Sequence, residues 1–321
     1  MKKIIIDGLM IISLLILASS TSCVSSLSQV PVKGSGDVVD RSYDVSGFNG
    51  VDVSSGFDVV LVQGNEEKVI ISAQQNIFEY IQAKVEAGVL KIYIDRNVMQ
   101  TKGLKAKIFL KSINSLDVSG GGDVVTENTL NVPNLKIDLS GGGDIKTDLK
   151  TGDLDCGISG GGDATINGDI SKYNLSLSGG GDINSDITSE MISCSVSGGG
   201  DVAIKNQKKA SQVDVGISGG GDISLNVEAD NVKCSVSGGG DATLAGKAGT
   251  LDISVNGGGD VNAGGFKTEK ASFHANGGSD VRINASAEIA GTISGGGNVY
   301  YSGGAEVVNI DAKGGSTVHR E

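Results

Sequence analysis

Ser119-Gly120-Gly121-Gly122-Asp123 is a five-residue stretch that the chain keeps returning to. It recurs whole with its serine at Ser140, Ser159, Ser178, Ser197, Ser218 and Ser237, and in altered form from Asn256, Asn276, Ser294 and Lys313. Successive copies are 18 to 21 residues apart, most often 19. A fixed period of this size marks a repeat architecture, in which each unit is too small to bury its own apolar face and stacks on its neighbours. Counting the serine as zero, position −1 is apolar in every copy, from Val118 and Leu139 to Ile293 and Ala312. Position −3 is apolar in all but one (Gly291), and position −2 is small or polar: Asp117, Asp138, Gly157, Ser176, Ser195. This period-two alternation is that of a strand with one buried face. Position +5 is apolar again (Val124, Ile145, Ala164), so each unit reads strand, glycine corner, strand, return.

The pattern predicts an all-β fold, a right-handed parallel β-helix (solenoid) with coils of about 19 residues. The ladder takes 31 of the chain's 51 glycines, so the glycine is positional and does not mark a disordered linker. A tight corner repeated in register calls for φ values that glycine adopts most cheaply.

Outward from the repeat, the amino terminus reads as a targeting segment. Lys2 and Lys3 precede an apolar stretch too short to span a bilayer, and Ser20-Thr21-Ser22-Cys23 follows as a relaxed lipoprotein cleavage site. We expect a signal peptide over residues 1–22, lipidation at Cys23, and a flexible tether to residue 46 containing Pro31 and Gly34-Ser35-Gly36. The alternative is an ordinary secretory signal cleaved nearby. Cys23 is the only cysteine outside the repeat. No other run of about 18 apolar residues is present. The last corner lies four residues from Glu321, so no membrane barrel is expected to follow.

Residues 47–321 read as one β-helix domain, with irregular coils or a cap over 47–112 and regular coils over 113–321. Within the cap, Val51, Val53, Ser54, Gly56, Asp58 and Val59 fall on their counterparts in the rung around Ser119, which makes this stretch a founding rung. Strand-like runs follow at 68–73, 81–86, 89–95 and 105–110, with a helical turn within 76–82. Some closure is expected here, because an open end of stacked strands invites further pairing.

The start Phe48-Asn49-Gly50-Val51-Asp52-Val53, the Gln63-Gly64 turn, the strand Gly88-Val89-Leu90-Lys91-Ile92 and the following Leu-Asp-Val-Ser-Gly-Gly-Gly-Asp resemble the head GIN domain family of auto-transporter adhesins. The resemblance runs from about Val45 to the carboxyl terminus. It implies a right-handed β-helix and, through the family's name, adhesion. It supplies no catalytic residues.

Without residues 1–22 the chain carries 24 basic and 37 acidic residues. A net of −13 disfavours nucleic acid and anionic lipid surfaces as partners. Cys156, Cys194 and Cys234 share position −3 two coils apart, about 9.6 Å between backbones at strand spacing. That exceeds the reach of a disulfide, so three free buried thiols are expected.

Two features are candidates for binding. Asp123, Asp144, Asp163, Asp182, Asp201, Asp222, Asp241, Asp260 and Asp280 should stack along one edge. Adjacent carboxylates about 4.8 Å apart repel by roughly 0.9 kcal/mol in water, which folding tolerates. Each carboxylate either accepts hydrogen bonds from corner amides, as Asx residues do in turns, or contributes to a ladder of calcium sites. The second feature is the outward serine face, Ser176, Ser195, Ser235 and Ser254, flat enough to dock a glycan, a cell-surface protein or another sheet. Catalysis is not expected. The chain has two histidines and no tryptophan, and no nucleophile elbow, phosphate loop or zinc spacing is present. No cofactor other than calcium is suggested. The whole reads as a non-catalytic binding or adhesion module of the bacterial cell envelope. It would be an outer-membrane lipoprotein facing the periplasm or the surface, with a structural spacer as the alternative and a polysaccharide-degrading enzyme as the more distant one.

Overall fold

The strand Ile145–Gly160 shows how one coil is built. Its inward residues are Ile145, Thr147, Leu149 and Thr151, then Leu154, Cys156 and Ile158. Two consecutive residues, Gly152 and Asp153, turn away from the core between the two sets and make a corner. The glycine triplet makes the other corner, so each coil is two sheet-forming sides closed by two bends. The computed structural model describes residues 30–321.

The coils stack in parallel with the register that the period requires. Ser119 lies opposite Ser140, Ser140 opposite Ser159 and Ser159 opposite Ser178. The same holds on the second side, where Val124, Ile145, Ala164 and Ile183 form one inward row. The fold is an all-β solenoid with coils of about 19 residues. Its core is one continuous column of apolar side chains from Phe48 to Ala305. The three thiols lie in that column on alternate coils, Cys156 opposite Leu175, Leu175 opposite Cys194, Cys194 opposite Val215 and Val215 opposite Cys234. All three are free and buried.

Among the described residues the amino-terminal region contains nine short strands: β1 (Val32–Lys33), β2 (Val38–Tyr43), β3 (Gly50–Val53), β4 (Asp58–Gln63), β5 (Lys68–Gln74), β6 (Ile81–Glu86), β7 (Val89–Ile94), β8 (Val98–Met99) and β9 (Lys105–Leu110). β10 (Ser115–Gly120) and β11 (Val124–Thr126) then open the regular coils. β3 and β4 form the founding rung, Val51 opposite Leu116 and Val59 opposite Val124. Beneath it lies a second parallel rung, β7 under β3 and β9 under β4. The region is therefore more regular than its length suggests, because the excess residues go into closure. β6 pairs antiparallel with β7, while β5 pairs antiparallel with β9 and then β2 with β5. The reversed strands end the parallel stack on both sides. The helical turn is a short 3₁₀ segment, Gln75–Ile77.

Two expectations are corrected. Residues 32–33 and 38–43 were expected in a flexible tether, but β1 is paired with β8 and β2 with β5, so ordered structure reaches well before residue 46. In the last coil, Val308 is 59% exposed. A register shift between Ile289 and Ala290 rotates the last coil there. The glycine corners do not all need glycine for its φ range. Gly141 and Gly160 have φ of +135° and +140°, but the third glycines of their triplets have no positive φ. At the third position the constraint is close stacking: a Cβ on Gly162 would lie 2.0 Å from the Gly143 carbonyl oxygen.

The core also contains pairings that the repeat does not encode. Tyr173, wholly buried, reaches across the coil so that its hydroxyl lies 2.9 Å from Ser185 Oγ. Ser185 stands in a row that is Ile166 and Ile204 in the flanking coils, and the smaller side chain makes room for the ring. Phe273 likewise lies against Gly291, whose added Cβ would be 2.6 Å from the ring.

Candidate functional site: the aspartate edge and the serine face

At the glycine corner the backbone turns, and the amide of each ladder aspartate takes a side-chain acceptor in place of a sheet carbonyl. The previous coil's aspartate provides it. Asp144 N–H donates to Asp123 Oδ1 at 3.0 Å, Asp163 to Asp144 at 2.9 Å, and Asp182 to Asp163 at 2.8 Å. Asp201, Asp222, Asp241, Asp260 and Asp280 continue the series at 2.7–3.0 Å. It starts one rung earlier, where Asp123 N–H donates to Asp58 Oδ1, and ends where Asn298 donates from both its backbone and its side chain to Asp280 Oδ1. The aspartate carbonyls bind the opposite way: Val124 N–H donates to Asp144 O at 2.7 Å and Ile145 N–H to Asp163 O at 2.8 Å. Each aspartate thus ties its coil to the neighbour through both its backbone and its carboxylate. The acceptor relation runs between coils rather than within one corner, which spacing in the sequence does not reveal.

The structure brings all nine predicted aspartates into one row. Those from Asp123 to Asp241 are exposed, and Asp260 and Asp280 are half-buried. Asp182, Asp201, Asp222 and Asp241 line an open groove of about 430 Å³ together with Asn184, Ser224 and Thr243. Among the described residues, no three His, Cys, Asp or Glu side chains converge as a metal site.

The predicted serines also fall in one row on the other side of the corner. Ser176 lies opposite Ser195, Ser195 opposite Gly216, Gly216 opposite Ser235, and Ser235 opposite Ser254. Gly157 continues the row below Ser176 and opens a notch. A groove of about 410 Å³ follows, lined by Lys136, Asp138, Asp155, Gly157, Asn174, Ser176, Ser193 and Ser195 among others. Asp138 overhangs the notch, since a Cβ on Gly157 would be 2.9 Å from Asp138 Oδ1. Serine and asparagine hydroxyls and amides beside two carboxylates form a shallow polar surface that can exchange hydrogen bonds with a hydroxyl-rich ligand.

Sequence reasoning missed the lower part of this row. Asp52, Asp117 and Asp138 stack at one-coil intervals. Partial burial pushes the Asp117 carboxyl up from its ordinary value, and the charges of Asp138 and Asp52 add to that. The signal was available, since Asp52 and Asp117 occupy the same position of successive rungs. The two histidines are engaged locally. His274 Nδ1 is 2.6 Å from Thr292 Oγ1, and the His319 ring stacks on Tyr300 at 5.3 Å. Tyr300 also lies under the Arg282 guanidinium, 4.8 Å from its ring centroid. Cys23 lies outside the described residues.

Comparison with solved structures finds likeness along most of the chain. A crystal structure titled as a "putative lipid binding protein" from Parabacteroides distasonis is 17% identical, with a TM-score of 0.41, over 91% of this chain and 99% of that one. A "putative adhesin" from the same organism is 19% identical, with a TM-score of 0.43, over 90% and 99%. A "putative adhesin" from Parabacteroides merdae is 18% identical, with a TM-score of 0.43, over 90% and 98%. No curated protein matches. The pattern of one family covers residues 47–211 and again 198–305, which spans both the cap and the glycine ladder. The chain belongs to the family described as "Putative auto-transporter adhesin, head GIN domain".

Proposed function

We propose that this protein is a non-catalytic cell-envelope lipoprotein whose solenoid serves as a binding or adhesion module. The observation that carries the reading is the row Asp138, Gly157, Ser176 and Ser195, which lines a shallow groove on an otherwise flat sheet face. Shallow polar faces with small side chains suit extended ligands such as glycan chains, whose hydroxyls match serine and asparagine. The family name and the titles of the structurally similar adhesins agree with this reading. Removal of residues 1–22 and lipidation of Cys23 would hold the domain at the outer membrane, facing the periplasm or the surface. The solenoid is assigned a right-handed twist, on the general preference of parallel crossovers. The aspartate edge is a second binding surface, with calcium as its candidate ligand.

A glycan array probed with residues 24–321, in calcium and again in EDTA, tests this. Binding that is lost on Ser176→Lys or Ser195→Lys and indifferent to EDTA supports the serine face. Binding abolished by EDTA moves the site to the aspartate edge. Silence in both conditions, with no cell-surface protein captured, refutes adhesion and leaves a structural spacer.

A further inference from the structure

The end of the solenoid nearest the amino terminus carries apolar side chains that the fold leaves uncovered. Val30 is 85% exposed, Met99 52% and Val38 47%. Met99 and Val38 lie on neighbouring segments of this end, and Val30 stands two residues before β1. β1 lies beside β8 with Lys33 opposite Met99, and Gly34 N–H donates to Met99 O at 3.2 Å. Val38 lies opposite Gln74, whose Oε1 accepts from Lys102 N–H at 3.0 Å, and Gly103 sits directly beneath the Val38 side chain. Lys33 and Lys102 are exposed at this end, as are Asp37 beside Val38 and Asp40, two residues further along β2, which accepts from the Ser72 hydroxyl.

Charge is divided unevenly along the chain. Residues 30–112 hold ten basic and ten acidic side chains, and residues 113–321 hold 14 basic and 27 acidic. The cap is neutral, and the coils beyond it carry the whole net negative charge. Only residues 24–29 separate Cys23 from Val30, so fully extended chain places Val30 within about 25 Å of the proposed lipid anchor.

We propose that the cap docks end-on against the lipid surface, with Val30, Val38 and Met99 seated among the headgroups and Lys33 and Lys102 beside the phosphates. The coils then project away from the bilayer, and their negative charge is kept off a phosphate-bearing surface. This rests on the reading that Cys23 is lipidated.

The chain has no tryptophan, so one introduced indole reports on its own position. Full-length protein extracted from membranes is placed in nanodiscs with brominated phospholipid, as Met99→Trp and, separately, Val308→Trp on the last coil. Val308 lies roughly 50 Å from the cap, at about 4.8 Å per coil. Docking predicts that Met99→Trp loses more than about half its emission to the bromine, since an interfacial side chain sits about 5–10 Å into the headgroup boundary. Val308→Trp keeps its emission, and adding Val38→Asp restores part of the Met99→Trp signal. Val30→Trp, at a nearly free position, repeats the measurement should Met99→Trp fold poorly. The mass of Cys23 is read on the same sample. An acylated Cys23 with no quenching at the cap, or with equal quenching at both ends, overturns the docking alone. An unmodified Cys23 overturns the anchor, and the docking with it.

Discussion

The three glycines of one corner are expected to respond differently to the same added methyl group. In the triplet Gly160-Gly161-Gly162, a Cβ on Gly162 would lie 2.0 Å from the Gly143 carbonyl oxygen and 2.9 Å from its carbon. A Cβ on Gly160 meets the Gly141 oxygen at 2.0 Å, at φ +140°. A Cβ on Gly161 meets nothing within 4 Å, although Gly161 N–H still donates to Gly141 O at 2.9 Å. Gly162→Ala must push two coils apart. Overpacking costs about 1–3 kcal/mol, and an inter-coil hydrogen bond weakened by the displacement adds about 1 kcal/mol. Gly160→Ala incurs the same clash plus backbone strain of about 1–3 kcal/mol. Gly161→Ala has no clash to relieve and stabilises by about 0.4–1 kcal/mol, because it restricts the unfolded chain. Thermal unfolding followed by far-UV circular dichroism reads the contrast. At about 2–4 °C per kcal/mol, the middle substitution should raise Tm by a degree or more, Gly162→Ala should lower it by about 4–16 °C, and Gly160→Ala should lower it further. Equal losses at Gly161 and Gly162 would show that the corner needs glycine for its backbone freedom, and the stacking argument would be wrong.

Asp163→Ala should lower the unfolding free energy, read by urea titration, by about 0.5–1.5 kcal/mol, because the Asp182 amide loses its acceptor, whereas Asp163→Asn keeps an oxygen in place and should be near neutral. Tyr173→Phe strands Ser185 Oγ in the core and should cost about 1–3 kcal/mol. Adding Ser185→Ala should recover most of that loss, which a double-mutant cycle would measure. Burial pushes the Cys156, Cys194 and Cys234 thiols up to about 12. The unfolded thiol titrates near 8.5. Their contribution is therefore intact below about pH 8.5 and is lost as pH rises toward about 12, because the unfolded chain releases protons that the folded one keeps. Each thiol should remove up to about 1.4 kcal/mol per pH unit in that window. The urea midpoint should thus fall more steeply from about pH 8 to about pH 10.5 than in a chain with all three changed to alanine.

What sequence alone could determine was whatever repeats. The period set the coil length, the alternation of Cys156 and Ile158 with Gly157 set which side chains turn inward, and the two set the register. The register in turn placed the nine aspartates and four serines in rows and kept the thiols two coils apart. Translation by one coil carries each such relation along the stack, so local pattern suffices. What lies outside the period had to wait for the tertiary structure. Nothing in the run from Val38 to Tyr43 says that it will reverse against β5 and end the stack. Tyr173 finds Ser185, and Phe273 finds the space over Gly291, because a large side chain needs a small one across the core and the repeat leaves that partner unspecified. The glycine triplets were plain as corners, but only the stacked coils show that the third glycine yields to a neighbouring carbonyl and that the middle one yields to nothing. The physical reason is that a repeating sequence states its neighbours along the chain, while contact distances between coils are decided when the coils are packed.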